Sequence, residues 1–386
     1  MGEYTIKSDH ASTIAMDQHA RSVTLAGADL STGEFKKGKL VNCPTASDVV
    51  SWAAGWATAP MRFVYESGPC GFHLAREIRA LGHDCDVIAV TSIPRSADDK
   101  RLKDDRRDAD GLLDAILSPG SKCRAVFLPS EESEAVRDLV RAYFDYAAAT
   151  RRWKAQTSGF LLRHGHVWNE RTKTGGLKGT WTQRYVAWVG SVEFSNEADN
   201  QALKCYLAAT TESMARTREV ESKCLEWARS ARYKPYVDAL TRIKGIEEMT
   251  ALAFAATVDD FGRFKTGRSV SRYFGLTPCR RDSGPKVGNN GPITKAGDAT
   301  CRRAVVEALA NISRFTTGPK KLREGQAVSA RVEAESIKCN ARNIERYGNL
   351  VAAGKKANVA RVAVASEVVR EMWVLGRMVQ EEVDGG

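Results

Sequence analysis

The sequence has no apolar run near the roughly 18 residues that cross a bilayer, and no charged-then-apolar signal segment opens it. A cytoplasmic protein without a membrane partner is the expectation. Cys-x-x-C pairs are absent. The nine cysteines (43, 70, 85, 123, 205, 224, 279, 301 and 339) are widely separated, which argues against zinc ligands or a disulfide framework and suits a reducing compartment. Histidine is scarce, with six residues all before position 167, so no Ser-His-Asp arrangement serves the carboxyl-terminal half.

What the chain does have is charge, unevenly placed. Its 386 residues leave room for two or three domains, and 43% apolar with 27% charged residues is ordinary for a globular protein. The net charge is +11 and the pI about 9.2. Residues 1–150 hold 18 Lys/Arg against 22 Asp/Glu, whereas residues 151–386 hold 40 against 25. The basic half suits contact with phosphates, although a basic surface also serves solubility.

Within the acidic half, four carboxylates stand out: Asp17 in TIAMDQHA, Glu66 in RFVYESG, and Asp105 and Asp108 in KDDRRDAD. The first two end short apolar runs. The last two lie three apart at the start of an expected helix and share a face. Carboxylates gathered from separate elements are what a pair of Mg²⁺ ions needs for in-line attack on a phosphodiester. Acids at a helix start are also favoured by the helix dipole alone, so it is the set, on a basic chain, that points to an enzyme cutting nucleic acid.

From Thr13 the residues predict three strands, TIAMD, RSVTLAGAD and GEFKKGKLV, with turns at Gln18–Arg21 and Ser31–Gly33. A helix over Thr45–Trp56 follows, then a strand MRFVYE, a helix near Phe72–Leu81, a strand DCDVIAV, a helix Asp108–Leu117 and a last strand CRAVFL. A meander followed by alternating strands and helices predicts a mixed α/β sheet. This is the element order of the RNase H-like fold, in which the first and fourth strands are neighbours and would bring Asp17 and Glu66 together. Residues 131–164 and 195–232 predict long helices joined by the basic loop RTKTGGLKGTW. Three domains are expected: an α/β domain over 1–130, a helical hairpin or coiled-coil spacer over 131–233, and an all-α domain over 234–386.

In that last region LTRIKGIEEMTALAFAATV predicts a helix, a tight turn at Lys244–Gly245–Ile246 and a second helix. A helix-hairpin-helix offers a phosphate the backbone N–H groups of such a turn; an ordinary helical corner has the same pattern. Ser283, in RRDSGPK after Arg280 and Arg281, is a second candidate centre. A serine attacks a phosphodiester only if its proton is removed and the developing charge is met, and the arginines supply the second part. Ser-Gly in a loop is also simply a turn. Lys100, Arg101, Lys103 and Arg106 flank the acidic motif, and Lys295, Arg302 and Arg303 join Lys244 and Gly245 as candidate nucleic-acid contacts.

MDQH, YESGP, KDDRRDADGLL, IKGIEEMTA, RYFGLTPCRRDSG, KAGDATCRRAVVEA and KKANVARVAVA together resemble the DEDD-type insertion-sequence transposases guided by a bridge RNA, a family that includes pilin-gene-inverting recombinases. The resemblance implies a RuvC-like first domain whose D-E-D-D set, here Asp17, Glu66, Asp105 and Asp108, binds Mg²⁺, with Mn²⁺ an alternative. It further implies a catalytic Ser283 that forms a transient phosphoserine link, a composite site, donor and target DNA chosen by a guide RNA, and assembly as a dimer to tetramer. Asp104 stands where the family pattern has a small polar residue and competes with Asp105 as third ligand; Asp282 precedes the serine. A metal-dependent nuclease needing only the carboxylates, or a non-catalytic nucleic-acid-binding regulator, are the alternatives.

Overall fold

The computed structural model describes residues 10–94, 105–279 and 291–385, with residues 105–107 described by backbone alone. The chain divides into two compact units between Pro129 and Ser130.

In the first unit, β1 (Ser12–Gln18), β2 (Ser22–Asp29) and β3 (Phe35–Val41) form the antiparallel meander. Helix α1 (Ala46–Ala54) opens on a capping box between Thr45 and Asp48. Strand β4 (Met61–Glu66) then runs parallel to β1, and after α2 (His73–Ala80) strand β5 (Asp84–Ile88) runs parallel to β4. The sheet order is β3-β2-β1-β4-β5. Helix α3 (Asp105–Leu117) is already helical at Asp105, one turn before Asp108, and acids are favoured near a helix N-terminus. CRAVFL is not a full strand. It pairs with the end of β5 through one bridge, Ile88 to Ala125, and its side chains divide between the two faces of the sheet.

Strand period sorts the side chains. Ile14, Met16, Phe63 and Tyr65 pack toward α1 and α2, whereas Ala15, Ala26, Ala28 and Val64 pack under Leu112, Leu113 and Ile116 of α3. On the α1 side, Gly27 and Gly38 lie beneath Trp56 and Trp52. A Cβ there would come within 2.7 and 2.6 Å of the indoles, so a larger residue would have to push the rings off the sheet.

The second unit is helical: α4 (Glu131–Arg163), α5 (Gln183–Gly190), α6 (Glu197–Ala228), α7 (Lys234–Leu240), α8 (Glu248–Val258), α9 (Gly267–Tyr273), α10 (Ala299–Ala308), α11 (Ala330–Ala352) and α12 (Ala357–Asp384). Its core forms around α8, buried continuously from Ala251 to Val258, and α12 packs there, with the Trp373 indole donating to the Phe261 carbonyl at 2.9 Å. Helices α4 and α6 run antiparallel. Val136, Val140 and Phe144 of α4, and Cys224 and Ala228 of α6, join that core. Farther out the two helices meet through hydroxyls: Thr150 to Ser213 at 2.7 Å and Thr157 to Thr210 at 2.8 Å. At the far end Phe160, Leu161, Tyr185, Val189 and Leu203 form a separate small core, which α5 completes in the stretch between the loop RTKTGGLKGTW and the second long helix, where the sequence reading assigns no element.

Candidate carboxylate site and nucleic-acid interface

Met16 of β1 lies opposite Tyr65 of β4 in a parallel ladder. The next residues, Asp17 and Glu66, therefore stand side by side at the carboxyl ends of neighbouring strands. They share the face of Ala15 and Val64, which is the face α3 covers. Asp17 also lies opposite Thr24 of β2, and Thr24 opposite Lys39 of β3, so Glu66, Asp17, Thr24 and Lys39 form one row across four strands. His19 Nε2 is 2.9 Å from Asp17 Oδ2. On α3, Asp108 is half-buried, and Asp110 Oδ2 is 2.5 Å from Lys37 Nζ of β3. The side chains of Asp105 and Arg106, and all of Lys100, Arg101 and Lys103, lie outside the described residues.

Among the described residues no three His, Cys, Asp or Glu side chains form a group fit to hold a metal; the side chain of Asp105 lies outside those residues. The donor chemistry of the pair nonetheless suits Mg²⁺, a hard ion held by one or two carboxylates with waters and substrate phosphates filling the rest.

Ser283 lies outside the described residues, but the segments that flank it are ordered by an antiparallel ladder. Gly291 donates to the Cys279 carbonyl at 2.9 Å, Cys279 to Pro292 at 2.8 Å, and Thr294 to Thr277 at 2.9 Å. Residues 279 and 291 are thus held together. Arg302 pins the base of this ladder. Its Nη1 donates to Ala296 O at 2.7 Å and Phe274 O at 3.1 Å. Asp298 caps α10 through Cys301 N at 2.7 Å and takes Arg141 Nη2 at 2.8 Å. Gly297, at φ +67, backs onto the Tyr273 carbonyl. KAGDATCRR is therefore a cap and clamp beside the serine segment, and aspartate is among the residues favoured at an N-cap. Lys295 and Arg303 are exposed.

The turn between α7 and α8 is held from α11. Asn340 Oδ1 accepts from Lys244 N at 2.8 Å, and Asn340 Nδ2 donates to Arg242 O at 3.0 Å. Buried Arg242 makes a two-point pair with Glu333 at 2.6 Å on each side. Lys244 Nζ reaches Thr316. Gly245, at φ +90, abuts the Ala308 carbonyl. The Lys244 amide is thus used within the unit. Sequence reasoning missed Asn340, which carries no local signal.

Residues 237–323 match the family model described as "Transposase IS116/IS110/IS902 family". A Sinorhizobium fredii protein named as a transposase (y4qE) is 36% identical over 317 residues, covering 82% of this chain and 75% of its own. The transposase for insertion sequence element IS1533 of Leptospira borgpetersenii is 28% identical over 295 residues, covering 76% and 82%. A Pseudomonas aeruginosa protein named as a family 20 transposase is 26% identical over 320 residues, covering 79% and 81%. The class these likenesses define is that of the insertion-sequence transposases. Within that class, the chain belongs to the IS116/IS110/IS902 family.

Proposed function

We propose that this transposase is an RNA-guided DNA recombinase that cuts and rejoins DNA through a Ser283 nucleophile acting in concert with Mg²⁺ held by Asp17, Glu66, Asp105 and Asp108. The observation that carries the reading is the register that sets Asp17 beside Glu66 at the ends of two parallel strands. Further support comes from the mixed five-stranded sheet, ordered β3-β2-β1-β4-β5 with α3 across one face, which is compatible with the RNase H- or RuvC-like domain proposed here. When held by these carboxylates, Mg²⁺, or Mn²⁺ in its place, would supply positive charge against the phosphate under attack.

The Ser283 Oγ–P bond forms as the bond from phosphorus to the leaving deoxyribose oxygen breaks. The serine proton ends on that oxygen, and rejoining runs the exchange in reverse with the hydroxyl of the new strand. Arg280 and Arg281 complement the charge that develops. DNA is the substrate, base pairing with a guide RNA selects the site, and two to four copies assemble for exchange. Lys100, Arg101, Lys103 and Arg106 serve the backbone beside the carboxylates; Lys295 and Arg303 serve it beside the serine segment.

The test is a denaturing gel of protein, Mg²⁺, guide RNA and labelled donor DNA. A covalent protein–DNA band that disappears with Ser283→Ala supports the reading. Cleavage that persists in that variant without any covalent band makes the protein a metal-dependent nuclease.

A further inference from the structure

We infer that the outer face of α9, with Lys265 before it and Lys295 beside its end, is a docking surface for the sugar-phosphate backbone of duplex DNA next to the point of cleavage. The choice of DNA rests on the reading of Ser283 given above; the surface itself is separate from both the serine and the carboxylates.

Arg268 and Arg272, four apart, share one face of α9 and are exposed, as are Lys265 and Lys295. Among the described residues none of these four side chains has a carboxylate within 4.0 Å. Helix α9 itself carries no acid, and the acids of the elements around it are largely matched. Glu367 of α12 lies 3.1 Å from Arg370 Nη1 and 3.6 Å from Arg346 Nη2. Asp298 takes Arg141 at 2.8 Å, and Asp259 takes Arg232 at 2.7 Å. Asp260 accepts only from Gly262 N and Gln380 Nε2, so its charge stands against the four cations. Arg303 has Glu307 one turn along α10 and is left out of the count. The face therefore keeps a net positive charge. The α11–α12 surface is built otherwise: Arg331 is 3.1 Å from Glu381, Lys338 3.6 Å from Glu335 and Arg377 3.4 Å from Glu381. Like charges four apart on a helix cost stability, and an anion lying across Arg268 and Arg272 removes that cost.

The arginines are presented from a fixed backbone. A helix this short has little stability alone; α9 is held by a capping box between Thr266 and Ser269 and by buried Val270, Ser271 and Phe274. Ser271 Oγ donates to the Ser366 carbonyl at 2.9 Å and accepts from Arg370 Nε at 2.7 Å. Side chains four apart on a helix start about 5–6 Å from one another. A strand carries one phosphate per 3.4 Å or so of duplex axis, so the two arginines suit phosphates one or two nucleotides apart. A guide RNA offers the same phosphates. Duplex DNA is favoured by continuity: Lys295 N donates to the Gly275 carbonyl at 3.1 Å, and from Gly275 the chain runs through Thr277 and Cys279 into the segment that carries Ser283. The strand to be cut must reach that segment.

The experiment measures binding of a short fluorescent duplex DNA to the full chain in EDTA, across a salt series, with a duplex RNA of the same sequence alongside. Arg268→Gln and Arg272→Gln should each reduce the slope of log affinity against log salt on DNA by about 0.9, the value for one phosphate contact. Both should melt no lower than the parent protein, because a like-charge neighbour has been removed. Arg268→Lys should keep the parent slope. Lys204→Gln removes an equally exposed charge from α6 and should also leave the slope unchanged. Unchanged slopes in both arginine variants, or an equal loss from Lys204→Gln, overturn the assignment. Losses confined to the RNA probe overturn the choice of DNA. A Ser283→Ala protein should bind with the parent slope, so failure of the nucleophile reading would show separately, in the covalent-band assay.

Discussion

The carboxamide of Asn340 closes both polar groups of the turn that precedes α8: its oxygen lies 2.8 Å from the Lys244 nitrogen and its nitrogen 3.0 Å from the Arg242 carbonyl. With Arg242 locked onto Glu333, α11 acts as the support of this corner. Asn340→Ala leaves a buried N–H and C=O unsatisfied and should cost about 1–3 kcal/mol in urea unfolding. Gly245→Glu should do worse, because φ is +90 and the Ala308 carbonyl occupies the space of the new Cβ. Its thermal melt is expected to collapse, which would make lost DNA binding a consequence of misfolding.

Asp17→Asn and Glu66→Gln should each reduce DNA cleavage by at least about 100-fold while circular dichroism stays native, since even groups behind a metal ligand are worth 10- to 100-fold. His19→Ala, which removes the 2.9 Å contact to Asp17, should weaken Mg²⁺ binding up to about tenfold by calorimetry. Full cleavage by Glu66→Gln would remove the carboxylate pair from the reaction.

Asp259 holds the start of α4. Its carboxylate accepts from Ser130 N at 2.7 Å, Ser133 Oγ at 2.5 Å and Arg232 Nη2 at 2.7 Å. Burial pushes its pKa up, but these bonds outweigh burial and hold it below the usual 3.8. A depressed folded-state pKa means stability that is present above 3.8 and lost as pH falls through the lower, folded-state value. Asp259→Asn should therefore cost about 2 kcal/mol at neutral pH, and the gap from the parent protein should shrink in acid melts.

Glu371 of α12 behaves oppositely. Burial raises its pKa from 4.5 to about 7, only partly offset by Asn343 and Arg342 of α11. Asn343 Nδ2 lies 2.6 Å away and Arg342 Nε 3.3 Å. A raised folded-state pKa gives a contribution complete below 4.5 and lost as pH rises through about 7. Glu371→Gln should melt higher than the parent at pH 8 and nearly with it at pH 5; identical melts at both would refute the coupling.

The elements that could be read from sequence are those whose period is enforced by burial on one side. Ile14 and Met16 alternating with Ala15, and the long helices carrying Val136, Val140 and Phe144, announce themselves. Helix α5 does not. Its eight residues are held by Tyr185 packing against Trp168, Trp181 and Trp188, and such tertiary contacts leave little local trace. CRAVFL has a strand's composition, yet only Ala125 bridges to β5. At the candidate site, Asp17 and Glu66 were legible because each ends an apolar run. The row that adds Thr24 and Lys39 emerges only once register is known.

The layer of methyl groups between β1, β2 and α3 works as a spacer gauge. Ala15, Ala26 and Ala28 set how near the helix bearing Asp108 comes to the strands bearing Asp17. Carboxylate spacing here is thus written in side-chain volume as well as in charge. Enlarging one of these alanines by two methyls would shift the acidic end of α3 without touching an acid, and loss of activity in such a variant would be a defect of thickness, not of ligands.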